Sequence, residues 1–154
     1  MNYRHAFHAG SFSDVVKHVL LAELLKVLTQ KDSPILYLET HAGAGRYDLQ
    51  SREAQRSREW ESGVGKIFQE AVIPEDLASY TSVIHRMNEE IAARPPRFYP
   101  GSPWIAREHL RPGDRLILAE LHDETFGELR EQFGELGNVE LVHADGFALL
   151  EQIP

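Results

Sequence analysis

The sequence of 154 residues contains no cysteine. This absence excludes disulfide bonds, a thiolate nucleophile and zinc held by thiolates. Long apolar runs are also missing, since no stretch approaches the ~20 residues that a membrane-spanning helix needs. The first residues have no apolar signal core. We therefore expect a globular protein of the cytoplasm with no membrane partner, for which a hydrophobic fraction of 42% is ordinary.

Basic residues are outnumbered, and the formal net charge is −8. Residues 111–154 carry −7 of this charge and residues 1–110 carry −1. An acidic chain binds nucleic acids poorly without specificity, because such binding needs cations that neutralise phosphates. The first 18 residues differ, since Arg4, Lys17 and three histidines are opposed only by Asp14. The charge pattern therefore predicts a local basic face near the amino terminus.

Three short apolar runs, at residues 35–39, 116–120 and 139–143, have the composition of parallel strands that are buried on both faces. A helical pattern over residues 14–30 precedes the first run, and in it Val16, Leu20, Leu24 and Leu28 recur on one face. We expect this helix to pack against the sheet over most of its surface. The alternation of helices and strands predicts an α/β fold with a mostly parallel sheet.

Residues 48–98 have a different character, being polar, rich in Glu and Arg, and mostly helical in period. They are predicted to form a helical insertion subdomain, while residues 1–47 and 99–154 form the main domain. The segment from Tyr99 to Pro103 reads as a turn, in which Ser102 can cap the helix that follows.

Acidic residues lie at or just after the ends of the three predicted strands, namely Glu39, Glu120 and Asp145. The first strand also leads into Gly43-x-Gly45. Ligands of parallel sheets bind outside the carboxyl ends of the strands. Glycine there lets the backbone approach a ligand closely, and carboxylates can accept hydrogen bonds from ribose hydroxyls or from an adenine amine. The pattern favours a ligand that contains adenosine.

Other kinds of site have weaker support in the sequence. The dinucleotide fingerprint G-x-G-x-x-G is incomplete, because Tyr47 and Asp48 stand where its third glycine would fall. Gly-x-Gly alone is about as typical of a plain turn between a strand and a helix. The nucleophile elbow G-x-S-x-G is absent. Two histidines four residues apart on a helix are also absent, so no metal site is predicted.

Several blocks of the sequence, taken together, resemble one known family. They are residues 3–10, residues 14–18, residues 36–47 (LYLETHAGAGRY), residues 99–103 (YPGSP), residues 120–122 (ELH) and residues 144–147 (ADGF). In this order they are similar to the bacterial 23S ribosomal RNA adenine-N6 methyltransferases of the J type. The resemblance covers essentially the whole chain. It implies a Rossmann-like class I fold that binds S-adenosyl-L-methionine, with a helical insertion after the first strand.

The resemblance also implies roles for individual residues. The cofactor would be bound by Lys17, His18, His41, Gly43, Gly45, Ser102, Glu120, Asp145 and Gly146. Among these, Ser102 would lie near the methionine end, Glu120 would hold the ribose hydroxyls, and Asp145 with Gly146 would frame the adenine. The RNA, which is 23S ribosomal RNA free or in an assembly precursor, would meet Tyr3, Arg4 and His5.

One departure from the family pattern is large. Family members continue well beyond this length and carry an Asp-Pro-Pro-Tyr motif that positions the flipped adenine, but no Asp-Pro-Pro occurs in these 154 residues. The resemblance implies that the catalytic Asp would lie beyond Pro154. We therefore expect an amino-terminal part of a longer enzyme, with no catalytic residue of its own and no methyl transfer in isolation. The strand at residues 35–39 would then expose an unpaired edge through which the chain could self-associate.

Two alternatives remain open on the sequence alone. One is a noncatalytic nucleotide-binding or interaction module, which the missing motif allows. The other is a methyltransferase of the same fold that acts on DNA or protein, against which the amino-terminal block argues.

Overall fold

Three parallel strands form the central sheet of the computed structural model, which describes residues 4–89 and 95–151. They are β1 (Leu36–Glu39), β4 (Arg115–Glu120) and β5 (Val139–His143), in the spatial order β1-β4-β5. Leu36 pairs with Arg115, and Leu116 pairs with Val139. The three predicted strands and the mostly parallel α/β architecture are confirmed. Among the described residues, no strand pairs with the second edge of β1.

A two-stranded antiparallel ribbon was not predicted. It consists of β2 (Arg46–Asp48) and β3 (Phe98–Pro100), and Tyr47 pairs with Tyr99 at its centre. The prediction of a plain turn from Tyr99 was wrong, because residues 98–100 form this strand before the chain turns at Gly101. Strands of three residues carry too little periodic pattern to be seen in a sequence, and these form through a pairing that spans about fifty residues.

Helix α1 (Phe12–Leu28) begins where Ser11 accepts a hydrogen bond from the backbone N–H of Asp14. Its buried face consists of Asp14, His18, Ala22 and Leu25. The opposite face is apolar and exposed to solvent, with Phe12, Val16, Leu20, Leu24 and Val27 between 43% and 68% exposed. The expectation that α1 packs against the sheet over most of its surface was wrong. Periodicity identified the apolar stripe but not which side of the helix meets the protein.

The insertion between the two ribbon strands is helical, as predicted. It contains α2 (Arg52–Ser57), α3 (Glu59–Ser62), α4 (Val64–Gln69), a 3-10 turn (Glu75–Leu77) and α5 (Ala78–Met87). Val64, Tyr80 and Ile84 from this segment are fully buried in one apolar cluster with Ala22 of α1 and Ile105. The insertion therefore shares a core with the elements that flank it.

The remaining helices cover the sheet. They are α6 (Ser102–His109), α7 (Asp123–Phe133) and α8 (Gly146–Leu150), and a 3-10 turn at His5–Phe7 precedes α1. Leu116 and Leu118 of β4 pack with Leu129 and Phe133 of α7 in a second apolar cluster. None of the helices in the described part of the chain has the length and apolarity that crossing a membrane would require.

Candidate functional site

A cavity of about 1120 Å³ opens at the carboxyl ends of β1 and β4, where the sequence predicted a ligand. It is lined by six of the residues predicted to bind the cofactor, namely Lys17, His18, His41, Gly43, Ser102 and Glu120. Arg4 and His5, predicted to meet RNA, also line it, whereas Tyr3 lies outside the described residues. Gly45, Asp145 and Gly146 are not among the lining residues. The cavity therefore lies at the tip of β4, and α1, the loop after β1 and the start of α6 form parts of its wall.

The predicted lack of a catalytic residue concerns the end of the chain. We expect the catalytic Asp of the family beyond Pro154, and Pro154 itself lies outside the residues that the structure describes. This expectation therefore stays a prediction.

The carboxylate of Glu120 joins the ends of β1 and β4. Its Oε2 accepts a hydrogen bond from the backbone N–H of Gly43 at 2.9 Å, and its Oε1 accepts one from the N–H of His122 at 2.9 Å. The residue is only 8% exposed. Each carboxylate oxygen can accept a second hydrogen bond. Glu120 is therefore held with both oxygens at the cavity wall, oriented to accept from a ligand.

The loop after β1 requires glycine at two positions. Gly43 has a φ of +65°, and a Cβ atom there would lie 2.4 Å from Tyr47 Oη. Gly45 has a φ of +79°, and its Cβ would lie 2.9 Å from Phe133. Because both the backbone conformation and the space exclude a side chain, the loop offers bare backbone at Gly43 to the cavity. Gly45 instead supports the loop from behind, since its carbonyl accepts from Gly101 N–H at 2.7 Å.

Glu39 was noted at the tip of β1 but was not predicted to bind the cofactor. It lines the cavity, and its carboxylate accepts hydrogen bonds from the Ser102 hydroxyl and from Tyr37 Oη, the latter at 3.1 Å. Burial raises the pKa of Glu39 to about 7, although Ser102, Tyr37 and the Lys17 charge each act to lower it. The cap of α6 is Gly101, and Ser102 is the first residue of the helix. The Ser102 hydroxyl therefore does not cap the helix but donates to Glu39 at the cavity wall.

Asp14 organises the cavity wall that α1 provides. It is 1% exposed, and its Oδ1 lies 2.7 Å from Lys17 Nζ while its Oδ2 lies 2.8 Å from His5 Nε2. Burial alone would raise the pKa of Asp14, but the hydrogen bonds from His5 and Lys17 and the charge of His5 lower it to about 2. The ion pair holds Lys17 and the turn at His5 against the same carboxylate.

His18 lies one turn deeper in α1. Its Nδ1 is 2.8 Å from Tyr99 Oη, and Tyr80 Oη donates to the same hydroxyl at 3.2 Å. Burial lowers the pKa of His18 to about 4, so the ring is neutral near pH 7. A neutral imidazole here can offer one donor or one acceptor to the cavity without adding a charge.

The loop after β5 touches the loop after β1 without lining the cavity. A Cβ atom on Gly146 would lie 2.1 Å from the backbone oxygen of Thr40, and the His41 and Phe147 rings are 5.2 Å apart. The Asp145 carboxylate caps α8 by accepting from the N–H of Phe147 at 2.8 Å. The three strand ends thus meet, while the Asp145 side chain serves its own helix.

An acidic wall borders the cavity, formed by Glu53 of α2 and by Glu124, Glu128 and Glu131 of α7. This wall was not predicted, although the spacing of the α7 residues places them on one helical face. Burial, followed by the charges of Glu124 and Glu131, raises the pKa of Glu128. Arg4 reaches this wall, with Nη2 3.1 Å from Glu124 and Nη1 3.9 Å from Glu53.

The predicted basic face at the amino terminus is therefore largely neutralised. Arg4 is paired with acids of α2 and α7, and Lys17 is paired with Asp14. His8 lies 3.0 Å from the carboxylate of Glu59. These acids are distant in the sequence or buried, which is why local charge counting missed them. Within residues 4–89 and 95–151, no three His, Asp or Glu side chains come together in an arrangement that could hold a metal ion.

Comparison with known proteins identifies a family for this chain. The family described as "Ribosomal RNA large subunit methyltransferase D, RlmJ" matches residues 32–153. "Ribosomal RNA large subunit methyltransferase J" of Escherichia coli is 42% identical over 151 residues, and the protein of the same name from Haemophilus influenzae is 40% identical over 147 residues. These alignments cover 98% and 96% of this chain, but 53% and 52% of the relatives.

A solved structure agrees with the sequence comparison. The crystal structure of a protein from Legionella pneumophila matches with a TM-score of 0.83 at 38% identity, over 94% of this chain and 52% of that one. The Rossmann-like fold is thereby supported by an experimental neighbour. This chain spans about half the length of the relatives that it matches, and it belongs to the ribosomal RNA large subunit methyltransferase J family.

Proposed function

We propose that this chain is the cofactor-binding part of an enzyme that transfers a methyl group from S-adenosyl-L-methionine to N6 of an adenine in 23S ribosomal RNA. Family membership supports the reaction class. The observation that carries the proposal is the Glu120–Gly43 hydrogen bond, because both residues line the large cavity. The bond places a carboxylate that can accept further hydrogen bonds next to backbone that no side chain covers.

The residues around the cavity fit such a cofactor. Glu120 would accept hydrogen bonds from the ribose hydroxyls, and the backbone at Gly43 would lie against the ligand where no side chain fits. Ser102 and Lys17 would meet the methionine end, with His18 and His41 completing the wall. Asp145 and Gly146, beside Thr40, would approach the adenine from the next loop, and Gly45 would act through the loop conformation.

The chemical role of the chain is to bind and orient. The sulfonium of the cofactor supplies an already activated methyl group, so positioning and exclusion of water account for most of the rate. The side chains described here would hold the cofactor by its ribose and its methionine end. Since no Asp-Pro-Pro-Tyr motif occurs in the sequence, we propose that this chain binds cofactor and transfers no methyl group by itself.

Calorimetry on the purified chain tests the cofactor assignment. S-adenosylhomocysteine is expected to bind with one site per chain, and NAD is expected to bind far more weakly. Preferential binding of NAD would assign the cavity to dinucleotides and overturn the proposal. Binding of neither ligand would favour the interaction module.

The substrate and setting follow from the same assignment. We propose 23S ribosomal RNA, free or in an assembly precursor, as the partner, and the bacterial cytoplasm as the place where they meet. Residues 48–98 would act as a helical insertion subdomain on a main domain of residues 1–47 and 99–154. The amino-terminal turn, with Arg4 and His5 at the cavity, would lie close to the target adenine.

We also propose that the isolated chain binds a second copy of itself. The exposed stripe of α1 is apolar over five side chains, and Leu36, on the strand with the open edge, is 51% exposed. The alignment covers 53% of the Escherichia coli relative, so nearly half of that relative's length has no counterpart among these 154 residues. Pairing about a twofold axis would let both copies cover the same apolar face.

A further inference from the structure

A group of arginines lies around the ribbon of this acidic protein. Four arginines, Arg46, Arg86, Arg97 and Arg107, lie around the ribbon, α5 and α6, and we call this group the arginine patch. Arg46 and Arg86 line the same small cavity of about 190 Å³, together with Trp104 and Glu108. The patch is therefore one continuous surface.

Aromatic rings organise three of these guanidinium groups. Arg46 Cζ lies 4.6 Å from the centre of the Phe98 ring, and Arg97 Cζ lies 5.0 Å from the same ring. Arg107 Cζ lies 4.9 Å from the Trp104 ring. Stacking restricts the planar groups while leaving their N–H donors available. Patches of arginine and aromatic side chains are the surfaces on which single-stranded nucleic acids bind.

The carboxylates nearby do not neutralise the patch. Asp48 pairs with Arg97 at 2.9 Å, and Glu108 is shared at 2.7 Å each by Arg86 and Arg107. Within the described part of the chain, Arg46 forms no ion pair with a carboxylate, and it is exposed. Four guanidinium groups thus face two carboxylates, and the side chains of Arg86 and Arg97 remain 47% and 41% exposed.

The arginine patch lies next to the large cavity, which indicates what it binds. Arg46 and Phe98 line the large cavity as well, on its ribbon side, while the acidic wall of Glu53 and the α7 glutamates borders it elsewhere. A polyanion is repelled by the acidic wall and attracted by the arginine patch. An enzyme that flips a base must also hold the nucleotides beside it.

We infer that the arginine patch is the surface on which the RNA strand docks, with phosphates bound by Arg46 and Arg86 next to the cavity. This inference rests on the proposed function and names the surface that serves it. It assigns RNA binding mainly to the ribbon and its neighbours, whereas the sequence had pointed only to the amino-terminal residues.

Fluorescence anisotropy tests the inference with a labelled, single-stranded oligoadenylate RNA of about twelve nucleotides, a length comparable to single-strand binding sites. The variant R46Q/R86Q removes two exposed cations, and R115Q is the matched control, because Arg115 is also exposed and paired with one glutamate but lies at the amino-terminal end of β4. We expect R46Q/R86Q to bind at least about fivefold more weakly and with a salt slope shallower by ~0.7 for each lost phosphate contact. R115Q should bind like the unmodified chain.

A second variant distinguishes the loss of positive charge from a general loss of folding as the cause of weaker RNA binding. R46K/R86K keeps both charges and loses the planar groups, so its salt slope should match that of the unmodified chain even where its affinity is lower. Unchanged affinity in R46Q/R86Q, an equal loss in R115Q, no RNA binding by the unmodified chain at low salt, or tighter binding of polyglutamate than of RNA would each overturn the inference. Calorimetry of S-adenosylhomocysteine in the absence of RNA reports only on the proposed function, so the two proposals can fail separately.

Discussion

Glu120 and Gly43 are joined by a 2.9 Å hydrogen bond although they lie 77 residues apart in the chain. This contact fastens the glycine loop of β1 to the tip of β4. It also orients the carboxylate that we assign to the ribose, so one side chain shapes the loop and presents the acceptor.

Replacing Glu120 by Gln should weaken binding of S-adenosylhomocysteine. The amide has one accepting oxygen, so its NH2 group would face the N–H of either Gly43 or His122. A ribose hydroxyl would then meet a neutral acceptor in place of a charged one, which lowers the contribution of that hydrogen bond by about 1 kcal/mol and should raise Kd roughly fivefold by calorimetry. The control is E140Q, an exposed position on β5. Equal affinity in E120Q and the unmodified chain would remove Glu120 from the site.

Replacing Gly146 by Ala should destabilise the protein. The new Cβ would lie 2.1 Å from the Thr40 carbonyl, a backbone atom that cannot rotate away. Overpacking of this kind costs about 1–3 kcal/mol, measured as the free energy of unfolding in urea. G127A is the matched change, because nothing lies within 4 Å of its new Cβ in the middle of α7. There the loss of a helical glycine should stabilise by up to about 1 kcal/mol, so the two alanines should act in opposite directions.

The pKa of Glu39 makes a distinct prediction for the pH dependence of stability. A carboxyl group with a folded pKa of about 7, raised from 4.5, binds more protons when folded than when unfolded. Its contribution is fully present below pH 4.5 and is lost as the pH rises towards 7. His18, with a pKa lowered to about 4 from 6.5, acts in the opposite direction between pH 4 and 6.5.

The E39Q variant isolates the Glu39 contribution, because the effect of His18 cancels in the difference. The free energy of unfolding of the unmodified chain minus that of E39Q should fall between pH 4.5 and 7, with a slope of at most ~1.4 kcal/mol per pH unit. D145N, at an exposed helix cap, is a control that leaves Glu39 unchanged. Parallel curves for E39Q and the unmodified chain would show that the carboxyl titrates normally.

Two glutamates on the exposed face of α1 should abolish self-association. In L20E/L24E, charges replace two side chains that are 66% and 56% exposed, so the monomer fold loses little packing. Light scattering after size exclusion should give a dimer for the unmodified chain and a monomer of 17.5 kDa for the variant. V72E, at a position 82% exposed on the insertion, should remain a dimer. A monomeric unmodified chain would contradict the prediction.

The sequence predicted those parts of the fold that local pattern determines. The runs that became β1, β4 and β5 are apolar enough to be recognised as strands, although only β4 has fully buried residues and the expected burial of all three was wrong. Glu120 stands at a strand end where ligands bind. The ribbon was missed because Tyr47 and Tyr99 pair across the whole insertion, a contact that no local pattern predicts. The open face of α1 was misassigned because an apolar stripe shows that a surface avoids water, without showing what covers it.

The site was predictable to the same extent. Glycine and acid at the strand ends predicted the cavity, and the family resemblance predicted eight of the residues that line it. The partners of the basic residues were not predictable, because Glu124 reaches Arg4 across 120 residues. The same holds for the arginine patch, since Arg46 and Arg97 meet on Phe98 only when the ribbon closes.

Tyr99 has a position that ties these regions together. It pairs with Tyr47 within the ribbon, and its hydroxyl contacts His18 on the cavity wall and Tyr80 of the insertion. We therefore expect a displacement of the ribbon on RNA binding to move His18, because the fully buried Tyr99 belongs to the ribbon and contacts His18. Nucleic acid and cofactor should consequently bind with mutual dependence, each altering the affinity for the other by the same factor.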